Sequence, residues 1–489
     1  MTAAPAAGPA GHRPTTHRGP PTHREALWIV VAVLPTVFIS SLDQTIVAGA
    51  LPSLGRAFGA TEHLSWVASI YLLTLTATTP VFGRLSDIYG RRVILRSGLL
   101  IFMAGGFAAA LAPNMWALII ARAIQGIGAA GLTSQALTIL GDIAAPRDRA
   151  RYYTYFSITY TTAGGVGPAL GGFLSEHVHW GLVFCVTAPL GLASLVWCDR
   201  LLRALPRNEK RRKVDLLGAT LIIAASSTAM FVITAGGKTH PWGSVEIVGA
   251  GLASAVAWIA VVWRQATAPD PLIPLHILRS RIVMAAIGAS ACGWGAVIGL
   301  NIYLPLYLQY AQGMSPAQAG LQLMALMVTV NLGALMGSLA SARFESYKIY
   351  PIVTNIFCIA AMAWLAIRAD SISMLEFQIV LVCVGLGFGP MAPIVTLVVQ
   401  NSVKVSELGA ATSTLSFGRG LFAAVLVAAL GAVALQAVSP SGGVSDPAGV
   451  ISAFRALFWM TTASFALGLV AFLLIEEKPL RSSNEGSGG

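Results

Sequence analysis

Apolar residues fall along this chain in fourteen runs, each close to or above the roughly 20 residues a helix needs to cross a bilayer. The first six lie near 27–51, 64–82, 93–112, 115–141, 152–174 and 180–202. Two follow near 216–236 and 245–264, and the last six near 282–309, 317–341, 349–367, 375–400, 408–437 and 453–475. Because hydrocarbon offers no hydrogen-bond partner to an open backbone, runs of this length are read as helices. The predicted class is an all-α, polytopic membrane protein of fourteen transmembrane helices. Its layout is a six-helix bundle over 26–202, an additional helix pair over 216–264 and a second six-helix bundle over 282–475. Between them lie a basic linker, 203–215, and a second linker, 265–281, with polar tails at 1–25 and 476–489.

Composition agrees with a membrane class: 56% of residues are hydrophobic and only 10% are charged, which excludes a soluble globule. The formal charge of +11 is spread over short loops rather than gathered on a folded face, so nucleic acid is not an expected partner. The five cysteines sit in or at the ends of apolar runs without the paired spacing of a disulfide framework or metal site. No phosphate-binding loop of the Gly-x-x-x-x-Gly-Lys-Ser/Thr form occurs, and no nucleophile, base and orienting group can be assembled into an active site. A cofactor-free protein that is not an enzyme is expected.

Charge also orients the chain. With the N-terminus inside, all Lys and Arg fall on the cytoplasmic side except Arg56, Lys238, Arg368 and Arg455, and the two in-span arginines, Arg122 and Arg419. This is the positive-inside pattern, and an even span count returns the C-terminus to the cytoplasm. The basic residues near 200–213 are expected to anchor the topology and touch anionic lipid. A weak internal repeat adds support: Gly126 and Gly128 of the fourth run match Gly385 and Gly387 of the twelfth, and Leu51-Pro52 match Leu304-Pro305. Repeated halves place a binding site at their interface near the midplane.

Within the first run, Ser40-Ser41-Leu42-Asp43-Gln44-Thr45 sets a carboxylate deep among apolar residues. Such a group costs roughly 2.5 to 3.5 kcal/mol on insertion scales, which makes a functional site the default reading. Arg122 of the fourth run is its expected partner, because a guanidinium there needs a counter-charge or hydrogen bonds. Burial disfavours the charged carboxylate and a nearby guanidinium favours it, so a change in their separation or hydration moves a proton on and off. Gln125, about one turn along from Arg122, either meets substrate or closes a polar contact. Arg419, in the thirteenth run, either faces cavity water or supports helix carbonyls.

The loop after the second run reads Gly83-Arg84-Leu85-Ser86-Asp87-Ile88-Tyr89-Gly90-Arg91-Arg92. It resembles the signature cytoplasmic loop of the major facilitator superfamily, with Ile88 in place of the usual basic residue. Leu42-Asp43-Gln44-Thr45 followed by Ala50-Leu51-Pro52, Arg122 to Ala130, and Gly164-Gly165-Val166-Gly167-Pro168-Ala169-Leu170-Gly171-Gly172 are similar to three motifs of that superfamily's fourteen-span drug:proton antiporter family. The resemblance implies proton coupling by Asp43 and Arg122. It also implies a conformational role for Gly83, Asp87, Gly90, Arg91 and Arg92, and a hinge or proton seal at Gly167, Pro168, Gly171 and Gly172. Trp66, Tyr71, Gln125, Tyr303 and Asn331 are the expected substrate-cavity residues. Ala48 and Thr187 stand where the family usually has Asn, and no second acid occupies the tenth run, which argues against dicationic substrates.

The function expected from the sequence is therefore a monomeric, proton-coupled antiporter of the cytoplasmic membrane. It would export small hydrophobic or monocationic compounds by alternating access, with lipids as its surroundings. Two other expectations stay open: an exporter of a specific metabolite, amino acid or lipid on the same scaffold, and a membrane sensor or scaffold that transports nothing.

Overall fold

The structure, a computed structural model, describes residues 23–58, 64–144, 146–201, 215–237, 240–269, 271–314, 316–343, 347–404, 407–434 and 447–477. The expected 1–25 tail, 203–215 linker and 476–489 tail lie almost wholly outside these residues, as does the side chain of Pro168. The first bundle contains α1 (His23–Phe58), α2 (Leu64–Tyr89), α3 (Arg91–Ala110), α4 (Met115–Ile143), α5 (Pro146–His177), α6 (Leu182–Cys185) and α7 (Ala188–Leu201). The additional pair is α8 (Leu216–Ala235) and α9 (Val245–Thr267), followed by the short α10 (Leu275–Arg279). The second bundle contains α11 (Arg281–Tyr310), α12 (Pro316–Arg343), α13 (Ile349–Ile367), α14 (Met374–Phe388), α15 (Met391–Ser402), α16 (Leu408–Ala434) and α17 (Pro447–Leu473).

Two of the expected runs break where proline interrupts them. The sixth divides into α6 and α7 just before Pro189, and the twelfth into α14 and α15 at Gly389-Pro390. Proline has no backbone N–H to donate, so the helical hydrogen-bond ladder is interrupted there and an apolar run can cross the membrane as two segments. Gly389 nonetheless keeps helical angles, and Ala188 already belongs to α7. Among the described residues, 13 helical stretches are long and apolar enough to span, with α6–α7 and α14–α15 each counted once. The expectation of fourteen differs by α5, which is 32 residues long but rich in hydroxyl and charged side chains. Its hydroxyls turn back onto their own helix: Thr159, Thr161 and Thr162 donate to the carbonyls of Tyr155, Ser157 and Ile158. That internal pairing lowers the cost of carrying them through an apolar layer.

Burial follows the two bundles. One continuous core runs from Ile277 to Ile475, and the first half has its own cores around Val33, Leu99 and Phe156, and around Ile46, Leu118 and Phe184. The halves meet where α2 and α4 pack on α16, and where α5 packs on α12 and α15. The additional pair leans on this seam, with α8 against both α2 and α16. Trp66 of α2 stacks on Phe231 of α8 at 5.9 Å between ring centroids, and Trp258 of α9 meets Phe417 of α16 at 6.2 Å. The pair therefore touches both halves rather than hanging from one.

Candidate functional site

The helices α1, α2 and α4 bring together a polar cluster sealed inside the first bundle. Asp43 and Gln125 are 0% exposed, and Arg122 and Tyr71 are 1% exposed. Arg122 Nη1 donates to Asp43 Oδ2 at 2.7 Å and to Gln125 Oε1 at 2.6 Å, while Gln125 Nε2 donates to Asp43 Oδ1 at 2.9 Å. These three contacts close a triangle in which both carboxylate oxygens and both ends of the Gln125 amide are used. Arg122 Nε donates to the Val67 carbonyl at 3.2 Å, and the guanidinium lies 4.3 Å from the centroid of the Tyr71 ring and 5.6 Å from that of Phe184. Tyr71 in turn donates from its hydroxyl to the Ser40 carbonyl at 3.4 Å. A buried ion pair is tolerated when its other donors and acceptors find partners, and here both Asp43 oxygens and the Nη1 and Nε donors of Arg122 have them.

Helix α3 makes this closure possible. A Cβ at Gly105 would lie 2.5 Å from the Gln125 backbone nitrogen, and one at Gly106 would lie 3.3 Å from Gln125 Nε2. The Gly105-Gly106 pair thus lets α3 run directly over the polar triangle. Small residues play the same part on the other side, where α5 crosses α1. Thr45 Oγ1 donates to the Ala163 carbonyl at 3.2 Å. Side chains at Gly167 and Gly171 would overlap Thr45 Oγ1 and the Ile46 carbonyl oxygen, whereas nothing lies within 4 Å of a Cβ at Gly164 or Gly165. Only part of the glycine-rich run therefore supports close approach, and that part packs on Thr45 and Ile46, next to Asp43 on α1. Pro168 is within α5.

Residues 83–92, expected as a loop, are helical up to Tyr89 and again from Arg91, with Gly90 alone between α2 and α3, and at this end of the molecule a second network joins the halves. Asp87 Oδ2 accepts from the backbone nitrogen of Ala410, in the first turn of α16, at 3.0 Å, and Asp87 Oδ1 accepts from Arg91 Nη1 at 2.5 Å. A carboxylate is favoured there because the first N–H groups of a helix have no partner within it and carry partial positive charge. Arg91 also pairs with Asp142 of α4 at 2.7 Å, and Arg92 with Asp199 of α7 at 2.8 Å. Gly83 allows α16 to approach, since a Cβ on it would lie 2.8 Å from the Gly409 carbonyl oxygen, and Gly90 turns the chain at φ 90°. A neighbouring set holds Gln400 of α15 between the halves: Arg149 Nη1 and the Tyr153 hydroxyl each lie 3.4 Å from Gln400 Oε1, and Gln400 Nε2 donates to the Leu137 carbonyl at 3.1 Å. Loss of one charge-assisted bond at the Asp87 clasp, through Asp87→Asn, is expected to weaken closure by about 1.5 to 3 kcal/mol, or roughly tenfold or more in the open population. Labelling of Ser413→Cys, in a background lacking the native cysteines, is the check; an unchanged labelling rate would contradict a clasp.

The expected cavity residues divide. Gln125 is a corner of the sealed triangle and the Tyr71 ring lies against its Arg122 corner, so both are enclosed within the ion-pair cluster. Trp66 is half-buried against Phe231 of the additional pair. Tyr303 is buried, with its hydroxyl donating to the Val427 carbonyl of α16 at 3.3 Å. Asn331 donates to the Met327 carbonyl of its own helix at 2.9 Å. Neither touches the Asp43 cluster. Phe184, Asp142, Asp199, Arg149 and Gln400 were not singled out by residue type: each becomes informative only through contacts between segments far apart in the chain.

Apolar spanning helices, two packed bundles and an intramembrane ion pair define a multi-pass membrane protein of the transporter-like fold class. The sequence profile of the Major Facilitator Superfamily matches residues 33–428, and the chain belongs to that superfamily. It is 30% identical over 428 residues to an uncharacterized MFS-type transporter of Mycobacterium tuberculosis, a match that covers 86% of this chain and 62% of the relative's length. It is 28% identical over 411 residues to the multidrug transporter protein MdtP of Bacillus subtilis, covering 83% of this chain and 74% of that protein. It is 29% identical over 502 residues to the efflux pump dotC of Dothistroma septosporum, covering 94% and 85% of the two chains. Among solved structures, the human organic anion transporter MFSD10 (TETRAN) superposes with a TM-score of 0.63 at 16% identity, covering 94% of this chain and all of that one. The proton:xylose symporter XylE gives 0.62 at 13% identity, covering 94% and 98%. At these identities the two structures speak to the fold alone.

Proposed function

We propose that this protein is a proton-coupled antiporter of the fourteen-span drug:proton family, exporting small hydrophobic compounds, monocations among them, across the cytoplasmic membrane. The observation that carries the reading is the Asp43 carboxylate, fully buried in the first bundle and held by Arg122 and Gln125. A proton placed on Asp43 removes the charge that holds Arg122, so protonation and the geometry of the triangle are linked. In this reading α5 is the fourteenth span, both termini are cytoplasmic, and the Asp87–Ala410 contact holds the cytoplasmic end closed. Alternating access would break that clasp and expose the site to the other side. Each proton entering down 100 mV supplies about 2.3 kcal/mol. The likeness to MdtP and dotC supports export as the direction and drugs or similar small molecules as the cargo.

The test is ethidium movement in proteoliposomes. An imposed pH gradient is expected to drive ethidium against its concentration gradient, and nigericin, which dissipates the pH gradient, should stop it. Ethidium movement that ignores the proton gradient would contradict the proposal.

A further inference from the structure

We propose that Arg419 and the indole N–H of Trp294 form a binding site for the anionic group of an aromatic substrate. This extends the reading of the chain as an exporter, and rests on it, by adding a substrate class. Arg122 and Arg419 are the two arginines that sequence placed inside spans, and they are treated differently. Arg122 has its carboxylate. Arg419, half-buried in α16, has neither an ion pair nor a hydrogen bond among the described residues; its neighbours are the Trp294 ring, 5.4 Å from the guanidinium carbon to the ring centroid, and Tyr160 of α5, within electrostatic range. Trp294 Nε1 is itself buried with no acceptor.

A buried indole N–H without an acceptor, beside a half-buried guanidinium that has no carboxylate, has one chemical complement: an acceptor, best an anionic one. A buried donor left unmatched is costly, and a planar guanidinium suits the oxygens of a carboxylate, sulfonate or phosphate. Position favours a transported ligand over a packing role. Gly420, next to Arg419, faces Thr76 of α2, where a Cβ would lie 3.0 Å from Thr76 Cγ2, and Gly418 faces Ile287 of α11. Arg419 therefore stands where α2, α5, α11 and α16 converge, between the halves. Thr76 is five residues beyond Tyr71 on α2, a step of about 7 to 8 Å along the helix from the Asp43 triangle. Trp294 offers the apolar face, backed edge-on by Phe388 at 5.7 Å. An aromatic body with one acidic group fits this pairing of surfaces. For one-for-one exchange, an anion leaving as a proton enters moves two elementary charges per cycle, whereas a monocation leaving moves none, so the two cargo types differ in their response to membrane potential.

The experiment compares 1-naphthalenesulfonate with 1-naphthalenesulfonamide, a neutral analogue of nearly the same shape, by calorimetric titration of the full-length protein. The wild type is expected to bind the sulfonate about tenfold or more tightly than the sulfonamide. Arg419→Gln should erase that preference while leaving ethidium affinity unchanged; Arg419→Lys should keep part of it; Trp294→Phe, which retains an aromatic ring but removes the N–H, should reduce it. A wild type with no preference, a preference that survives Arg419→Gln, or a loss shared equally with ethidium overturns the site. If Arg419→Gln does not fold, the Arg419→Lys and Trp294→Phe comparison decides, since an unchanged preference in Trp294→Phe removes half of the proposed donor set. Failure of the exporter reading would appear elsewhere, as absent proton-coupled ethidium movement in the wild type.

Discussion

Replacing Asp43 by Asn is expected to reduce pH-gradient-driven export to the rate of passive leak while sparing downhill exchange of substrate for substrate. The amide keeps the size of the carboxylate and one acceptor for Arg122, but it cannot load and release a proton in the working range. Removing one member of a buried pair also has a structural cost, of about 3 to 5 kcal/mol when the other charge is left uncompensated. Arg122 would retain Gln125 Oε1, the Val67 carbonyl and the Tyr71 ring, which holds the loss toward the lower end. The double variant Asp43→Asn with Arg122→Gln separates stability from coupling. It removes both charges, so thermal stability in detergent should recover relative to Asp43→Asn alone, while gradient-driven export stays lost. Recovery of export in the double variant would show that the pair is structural.

Gly171→Val is expected to abolish export and to let protons cross without substrate. Its side chain would strike the carbonyl oxygen of Ile46, an atom of the α1 backbone that cannot rotate away. Helices α1 and α5 would have to separate, at a cost of about 1 to 3 kcal/mol typical of overpacking. Ile46 is three residues from Asp43, so the gap opens on the turn next to the carboxylate. Gly164→Ala and Gly165→Ala lie in the same run but meet nothing within 4 Å, and should transport as the wild type does. A pH-sensitive dye trapped inside proteoliposomes reads the leak. Equal behaviour of the Gly171 and Gly164 variants would show that close approach of α5 to α1 has no bearing on coupling.

These contrasts also mark what the sequence can and cannot disclose. Run length is a property of one segment, so the helices were legible from hydropathy, as were the unusual charges Asp43 and Arg122, now seen 2.7 Å apart. The breaks before Pro189 and at Gly389-Pro390 are local chemistry that run length overlooks. Which glycines matter was not legible, because Gly164 and Gly171 look alike until α1 is laid beside α5. The same holds for Trp66, whose aromatic character suits a cavity, an interface belt or the Phe231 stack it makes. Gln400 carried no signal and Arg149 only that of a cytoplasmic charge: a glutamine in one span and an arginine at a helix start become a link between halves only once the bundles are packed. Hydropathy reads contact with lipid, and the candidate site is built from contacts between helices.

The central claim is that a proton on Asp43 is exchanged for substrate, and it is tested most directly by proton movement itself. Proteoliposomes containing a trapped pH-sensitive dye are given ethidium on the side from which it runs downhill, with no pH gradient imposed. The wild type is expected to move protons in the opposite direction as ethidium crosses, and Asp43→Asn is expected to pass ethidium with no proton signal. A proton signal in Asp43→Asn equal to that of the wild type would contradict the account.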